Sequence, residues 1–83
     1  MNLLQLAGSL PRDPQFREWL SIRFGAPQAP SEHDAVLTVR RICCVDSRRQ
    51  LADDREAQQR FHDHIRRPFV AWRDQQQNHR RAA

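Results

Sequence analysis

The chain has 83 residues, a hydrophobic fraction of 39% and a charged fraction of 29%. A chain of this length builds one small core with little room for a deep enzyme pocket, so we expect a single domain that binds rather than catalyses. All fourteen basic residues are Arg, against ten Asp plus Glu, which leaves a formal net charge of +4. Residues 1–39 hold three Arg and four acids, a sum of −1, and residues 40–83 hold eleven Arg and six acids, a sum of +5. The basic half suits acidic protein surfaces or nucleic-acid backbones, although codon bias in a GC-rich gene would give the same preference for Arg.

The two cysteines, Cys43 and Cys44, are adjacent, so they cannot form a disulfide scaffold or a paired metal motif. The leucines of the N-terminus lack a preceding basic segment and are interrupted well before a bilayer span of about 20 residues. We therefore expect no signal peptide and no membrane helix, and a cytoplasmic location.

Helical spacing of apolar residues predicts two short helices in the first part of the chain. One occupies the first ten residues and stops at Pro11. The next is capped by Asp13 with Pro14 at its first position, and it ends at Gly25. The wide apolar face predicted for this second helix comprises Phe16, Trp19, Leu20 and Ile22–Phe24.

A third helix is predicted to begin at a Ser31 cap, with Glu32 and Asp34 at the positive end of its dipole. Its buried stripe comprises Ala35, Val36, Val39, Ile42 and Cys43. Ser47 with Gln50 three residues later has the spacing of a capping box and predicts a short helical turn after it.

A longer helix is predicted from Asp54 to Arg67, with Asp53 and Glu56 forming its cap. Pro68 lacks a backbone donor but starts helices well, so we expect a sharp break there and a last helix that opens at Pro68. The fold class is therefore all-α, a small single domain of four to five short helices with a proline break before the last one. Residues 1–74 form the helical domain, and residues 75–83 form a flexible Gln/Arg-rich tail without apolar anchors. The predicted core comprises Phe16, Trp19, Leu20, Val36, Val39, Ile42, Leu51, Phe61, Ile65 and Phe69.

No residue pattern predicts a catalytic site, a metal site or a cofactor. His62 and His64 are two residues apart on a helix and face different directions, so they cannot share one metal ion. A nucleophilic pair of Cys43 or Cys44 with either histidine would also need an orienting group and an oxyanion site, for which this chain has little room.

The segment Val39–Leu51 has the order of a DNA-reading helix-turn-helix, with Arg48, Arg49 and Gln50 placed to meet base edges. The turn lacks the usual Gly, and nearby acids would repel phosphates. Direct nucleic-acid binding is therefore an alternative function.

Guanidinium groups border aromatic residues around the proline break, which is the composition of a protein–protein hot spot. The candidate partner-binding residues are Arg48, Arg49, Arg66, Arg67, Pro68 and Arg73. Phe69 and Trp72 either join this surface or lie in the core. Part of the Arg content is instead expected in exposed i, i+4 pairs, Glu56 with Arg60 and Asp63 with Arg67. An Xaa-Pro bond exchanges slowly between isomers, so a host prolyl isomerase acting at Arg67–Pro68 or another proline is a further candidate partner.

Three spaced motifs carry a resemblance to a known family. They are Asp-Pro-x-Phe-Arg-x-Trp at 13–19, Ile-Cys-x-Val-x-Ser-Arg-x-x-Leu at 42–51, and Arg-Phe-His at 60–62 followed by Ile-Arg-x-Pro-Phe-x-x-Trp at 65–72. Residues 13–73 thereby resemble the anti-RecBCD proteins of lambdoid phages. The resemblance implies a non-enzymatic protein of the host cytoplasm that binds the host RecBCD exonuclease-helicase, through the RecC subunit, and protects linear phage DNA or favours phage recombination.

Overall fold

The computed structural model describes the backbone of residues 2–82 and the side chains of residues 2–78. All the regular secondary structure in this range is helical. The α-helices are α1 Leu3–Ser9, α2 Pro14–Phe24, α3 Glu32–Cys43, α4 Arg48–Asp53, α5 Arg55–Phe61 and α6 Arg67–Ala82. A 3₁₀ turn, Leu10–Arg12, extends α1, and a π-helical turn, His62–Arg66, joins α5 to α6. Because the joined segments are continuous, the described residues form five helical rods, and the predicted all-α fold is confirmed.

The helices begin where side chains satisfy the free backbone N–H groups of the first turn. Asp13 accepts from the N–H of Gln15 at 2.9 Å, with Pro14 at the first position, as predicted. Ser31 and Ser47 accept from the third helical N–H of α3 and α4, each at 3.1 Å. The prediction that Asp53 caps the next helix is wrong: α4 runs through Asp53, and Asp54, in extended conformation, accepts from Glu56 and Ala57.

The predicted proline break before the last helix takes the form of the π-helical turn. Pro68 has no N–H, and its ring would clash with the carbonyl of His64 in a regular α-helix. The wider turn accommodates this ring, and Arg67 N–H bonds to the His62 carbonyl, five residues back. The backbone keeps helical angles at Phe61, His62 and Arg67, so the chain does not change direction sharply. The α5–α6 rod has segments of seven, five and sixteen residues and is about 42 Å long at 1.5 Å per residue, close to the 43 Å length of the molecule.

The core lies where α2, α3, α4 and the α5–α6 rod meet. Phe69 is its aromatic centre and is 1% exposed. Its ring centroid lies 5.2 Å from that of Phe16 in an edge-on pair and 5.7 Å from that of Trp19. Trp72 is half-buried and stacks on Phe69 at 6.2 Å. Phe69 is therefore a core residue, and Trp72 lies at the edge of the core.

Most of the predicted core is confirmed, with two kinds of difference. Val36 and Ile42 are only half-buried, while Ala7, Leu10, Val45 and Ala57 also lie in the core. The apolar face predicted for α2 is too wide, because Ile22 and Phe24 are 59% and 56% exposed. At 3.6 residues per turn these two residues lie on the flanks of the face formed by Phe16, Trp19 and Leu20.

The α6 helix continues to Ala82, through most of the segment predicted as a tail. Side chains 75–78 are exposed, and Ala83 and the side chains of 79–82 lie outside the described residues. The mobility of residues 75–83 stays a prediction. None of the helices described is both long enough and apolar enough to cross a membrane.

Two arginine-lined surfaces as the candidate functional site

The first arginine-lined surface, here called the outer face, lies along the α5–α6 rod. Its residues form a shallow depression around the π-helical turn: Gln59, His62, Arg66, Arg67, Val70, Ala71 and Asp74. The buried stripe of the same rod is formed by Ala57, Phe61, Ile65 and Phe69, spaced by four. In a regular α-helix, residues spaced by four are rotated about 40° around the helix axis at each step. The wider π turn reduces this rotation, so the four side chains stay on one side of the rod. The outer face therefore stays clear of the core along its length.

Exposed side-chain pairs connect successive turns of the rod at the outer face. Gln59 Nε2 donates to both carboxylate oxygens of Asp63 at 3.0 Å, and Arg67 pairs with the same carboxylate at 3.7 Å. Arg66 Nη1 lies 3.3 Å from Nδ1 of His62. The Arg67 side chain is nevertheless 79% exposed, so its remaining donors are open to solvent. The predicted i, i+4 pair of Asp63 with Arg67 is confirmed.

Pro68 and Arg73 do not line this depression. Pro68 is half-buried one residue after the start of α6. The guanidinium of Arg73 lies 5.5 Å from the ring centroid of Phe69, a cation–π distance, which directs it toward the core. Only Arg66 and Arg67 of the predicted C-terminal set therefore share one surface.

The second surface is a groove between α1, α3 and α4, with a volume of about 660 Å³, here called the α1–α3–α4 groove. Its floor is apolar and is built by all three helices and the turn before α4: Leu4, Ala7, Val36, Val39, Val45 and Leu51. Leu4 and Val36 are half-buried, so the groove leaves part of its apolar floor in contact with water.

The rim of this groove is basic. Four arginines line it, Arg12, Arg40, Arg48 and Arg49, together with Glu32 and His33. The guanidinium of Arg48 lies directly over Gly8 of α1, in space that a Cβ atom at residue 8 would occupy. Glycine at residue 8 thus leaves room for the Arg48 guanidinium against α1.

The α3–α4 connection positions Arg48 and Arg49 at the first turn of α4. Val45 N–H bonds to the Arg40 carbonyl at 2.9 Å and Cys44 N–H to the Arg41 carbonyl at 3.2 Å, which is the Schellman pattern of a helix end. Cys44 adopts the left-handed conformation that this motif needs, with φ of 61°. The helix–turn–helix order predicted here is present, but α4 has only six residues and is packed on α1.

The two cysteines differ in environment. Cys44 is exposed, and Cys43 is buried. Burial raises the pKa of the Cys43 thiol from 9.0 to about 11, against a smaller opposite effect of Arg60. Within the described residues no three His, Cys, Asp or Glu side chains gather into a possible metal site.

The structure thus separates the six predicted partner-binding residues instead of joining them. Arg48 and Arg49 line the groove, Arg66 and Arg67 line the outer face, and Pro68 and Arg73 line neither. Arg12 and Arg40 complete the groove rim and were not predicted. They come from separate helical elements, so their meeting depends on tertiary packing and leaves no local pattern in the sequence.

Comparison of the chain with protein-family models, with curated proteins and with solved structures found no match in any of the three.

Proposed function

We propose that this chain is a small non-enzymatic phage protein that binds the host RecBCD exonuclease-helicase, through its RecC subunit, and inhibits or modulates its action on linear DNA. The spaced motifs of residues 13–73 are the starting point of the proposal. One structural observation carries it further: Arg66 and Arg67 lie on the exposed outer face of a rod about 42 Å long, opposite the buried stripe.

The outer face has the composition of a docking surface. Arg66 and Arg67 flank Val70 and Ala71, so exposed charge lies beside small apolar side chains. Guanidinium groups beside apolar contacts are common at the energetic centres of protein–protein interfaces. Exposed side-chain pairs, Gln59 with Asp63 and Asp63 with Arg67, lie along the same rod.

The experiment is direct binding of the labelled protein to purified RecBCD. Changing both Arg66 and Arg67 to Glu should weaken binding by at least about tenfold, since reversed charges repel an acidic partner surface. The matched control changes Arg12 and Arg49 to Glu, which alters net charge equally but away from the outer face. Equal loss in both variants would show that only net charge matters, and no binding by the unaltered protein would reject the proposal.

Direct DNA binding is the second candidate, favoured by the α3–turn–α4 order with two arginines at the start of α4. It is second because α4 spans only about 9 Å and Arg48 lies against α1. If phosphates are its target, changing Arg48 and Arg49 to Ala should reduce the salt dependence of duplex affinity, whereas changes on the outer face should not.

A host prolyl isomerase remains a proposed partner at Arg67–Pro68 or another Xaa-Pro bond. It would act on the refolding chain, so an added isomerase should accelerate a slow refolding phase. Refolding kinetics that do not respond to the isomerase would reject it.

A further inference from the structure

We propose that the α1–α3–α4 groove is a docking site for a short acidic amphipathic helix of a partner protein. Apolar side chains of that helix would enter the groove, and its carboxylates would pair with the arginine rim. The inference is independent of the proposed function, which concerns the outer face on the α5–α6 rod.

The floor of the groove offers an apolar surface for such a helix. The groove has a volume of about 660 Å³, which lies within the usual range of ligand-binding pockets. Leu4 and Val36 come from different helices, and each is only half-buried. An apolar side chain that enters the groove would remove part of this exposed apolar surface from water.

The rim supplies the charge. Four arginines against Glu32 give a sum of +3 with His33 neutral. Among the side chains described, the ion pairs are Arg60 with Glu56 and Arg67 with Asp63, so the four rim arginines have no carboxylate within ion-pair distance. These guanidinium groups surround an apolar floor and have no carboxylate partner within the described part of the chain. They are therefore complementary to a partner helix whose carboxylates flank an apolar stripe.

The same features disfavour the other occupants. A nucleic-acid backbone would contact the arginines but would leave the apolar floor exposed to water. Since no Phe, Tyr or Trp is among the described residues lining the groove, bases would also have no aromatic side chain to stack on. A second copy of this chain carries the same net charge of +4 and would be repelled.

The test is fluorescence anisotropy with a labelled peptide in which Leu and Glu recur at helical spacing. A peptide of the same composition with that spacing scrambled is the ligand control. The groove variant changes the exposed Arg12 and Arg49 to Glu, and the matched control changes Arg66 and Arg67 to Glu. Since these residues are exposed, we expect both variants to fold, which circular dichroism verifies.

We expect the helical-spacing peptide to bind the unaltered protein, with affinity reduced at least about tenfold in the groove variant and less than about twofold in the control. Leu4→Ser should also weaken binding, whereas Leu37→Ser, at an exposed α3 residue outside the groove, should not. Equal binding of the scrambled peptide, or equal losses in the two charge variants, would overturn the proposal. Stronger binding of duplex DNA to the groove would also overturn it, as would a dimer that the groove variant dissociates.

Discussion

Arg60 Nε donates a hydrogen bond to the Cys43 carbonyl at 2.9 Å, although the two residues are seventeen positions apart. This carbonyl belongs to the last turn of α3, where acceptors lack helical donors and the dipole is negative. Arg60, which belongs to the neighbouring helix α5, therefore caps the C-terminal end of α3. The exposed Glu56 pairs with the Nη1 atom of the same side chain at 3.9 Å.

Arg60→Met should keep the aliphatic stem and remove the donor. We expect the free energy of unfolding to fall by about 1–2 kcal/mol, the cost of an unsatisfied, partly buried carbonyl. Urea denaturation measures this change. Arg55→Met, at an exposed residue of the same helix, is the control, and equal effects of the two substitutions would contradict the role given to Arg60.

The left-handed ends of α2 and α3 predict opposite effects of two substitutions. Gly25 has φ of 70° and Cys44 has φ of 61°, but only Gly adopts this region without strain. Cys44→Gly should stabilise the fold by about 0.5–1 kcal/mol, and Gly25→Ala should destabilise it by about 1 kcal/mol. Apart from its chain neighbours, no residue has an atom within 4 Å of a Cβ at Gly25, so the loss is conformational rather than steric. Denaturation curves that shift in the same direction for both would contradict this interpretation.

The burial of the Cys43 thiol predicts that the protein loses stability in alkaline solution. Its pKa is raised by burial to about 11, so the folded state favours the neutral thiol more than the unfolded state does. The contribution of the neutral Cys43 thiol to the free energy of unfolding is fully present below about pH 9 and is lost as the pH rises through about 11. The sequence contains no Lys and no Tyr, so few other groups titrate in this interval. Unfolding free energies measured from pH 8 to 11 should therefore fall less steeply in Cys43→Ala, and an unchanged slope would reject this origin.

Gly8→Ala tests the close approach of Arg48 to α1. Alanine favours helix interiors over glycine by about 1 kcal/mol, but its Cβ would occupy the space of the Arg48 guanidinium. The guanidinium is the end of a flexible side chain, so we expect it to move and the substitution to stabilise the fold. The gain should be larger when Arg48 is Ala, which a double-mutant cycle measures. Equal gains in both backgrounds would show that Arg48 does not restrict residue 8.

The sequence predicted the elements whose signals are local. Asp13, Ser31 and Ser47 cap helices as expected because an N-cap requires only a side-chain acceptor near the first helical turn. The N-cap of α5 was ambiguous because two aspartates, Asp53 and Asp54, are adjacent. Asp54 has the extended backbone that an N-cap needs, whereas Asp53 lies inside α4.

The sequence did not predict features that depend on packing. Ile22 and Phe24 lie on the flanks of the apolar face of α2, and the sequence alone does not show whether a neighbouring helix covers such flanking residues. The π-helical turn is likewise a compromise between Pro68 and the need to keep Phe69 on the same side as Ile65. The groove rim combines Arg12 with Arg48 across 36 positions of the sequence, so only the folded chain shows it.

Action on RecBCD is tested most directly by the rate at which the purified enzyme degrades linear duplex DNA in the presence of this protein. We predict that the unaltered protein changes the rate in proportion to the enzyme bound, and that the groove variant with Arg12 and Arg49 changed to Glu does the same. The outer-face variant with Arg66 and Arg67 changed to Glu should lose the effect while remaining folded. A degradation rate that does not respond to saturating unaltered protein would show that this protein does not act on RecBCD.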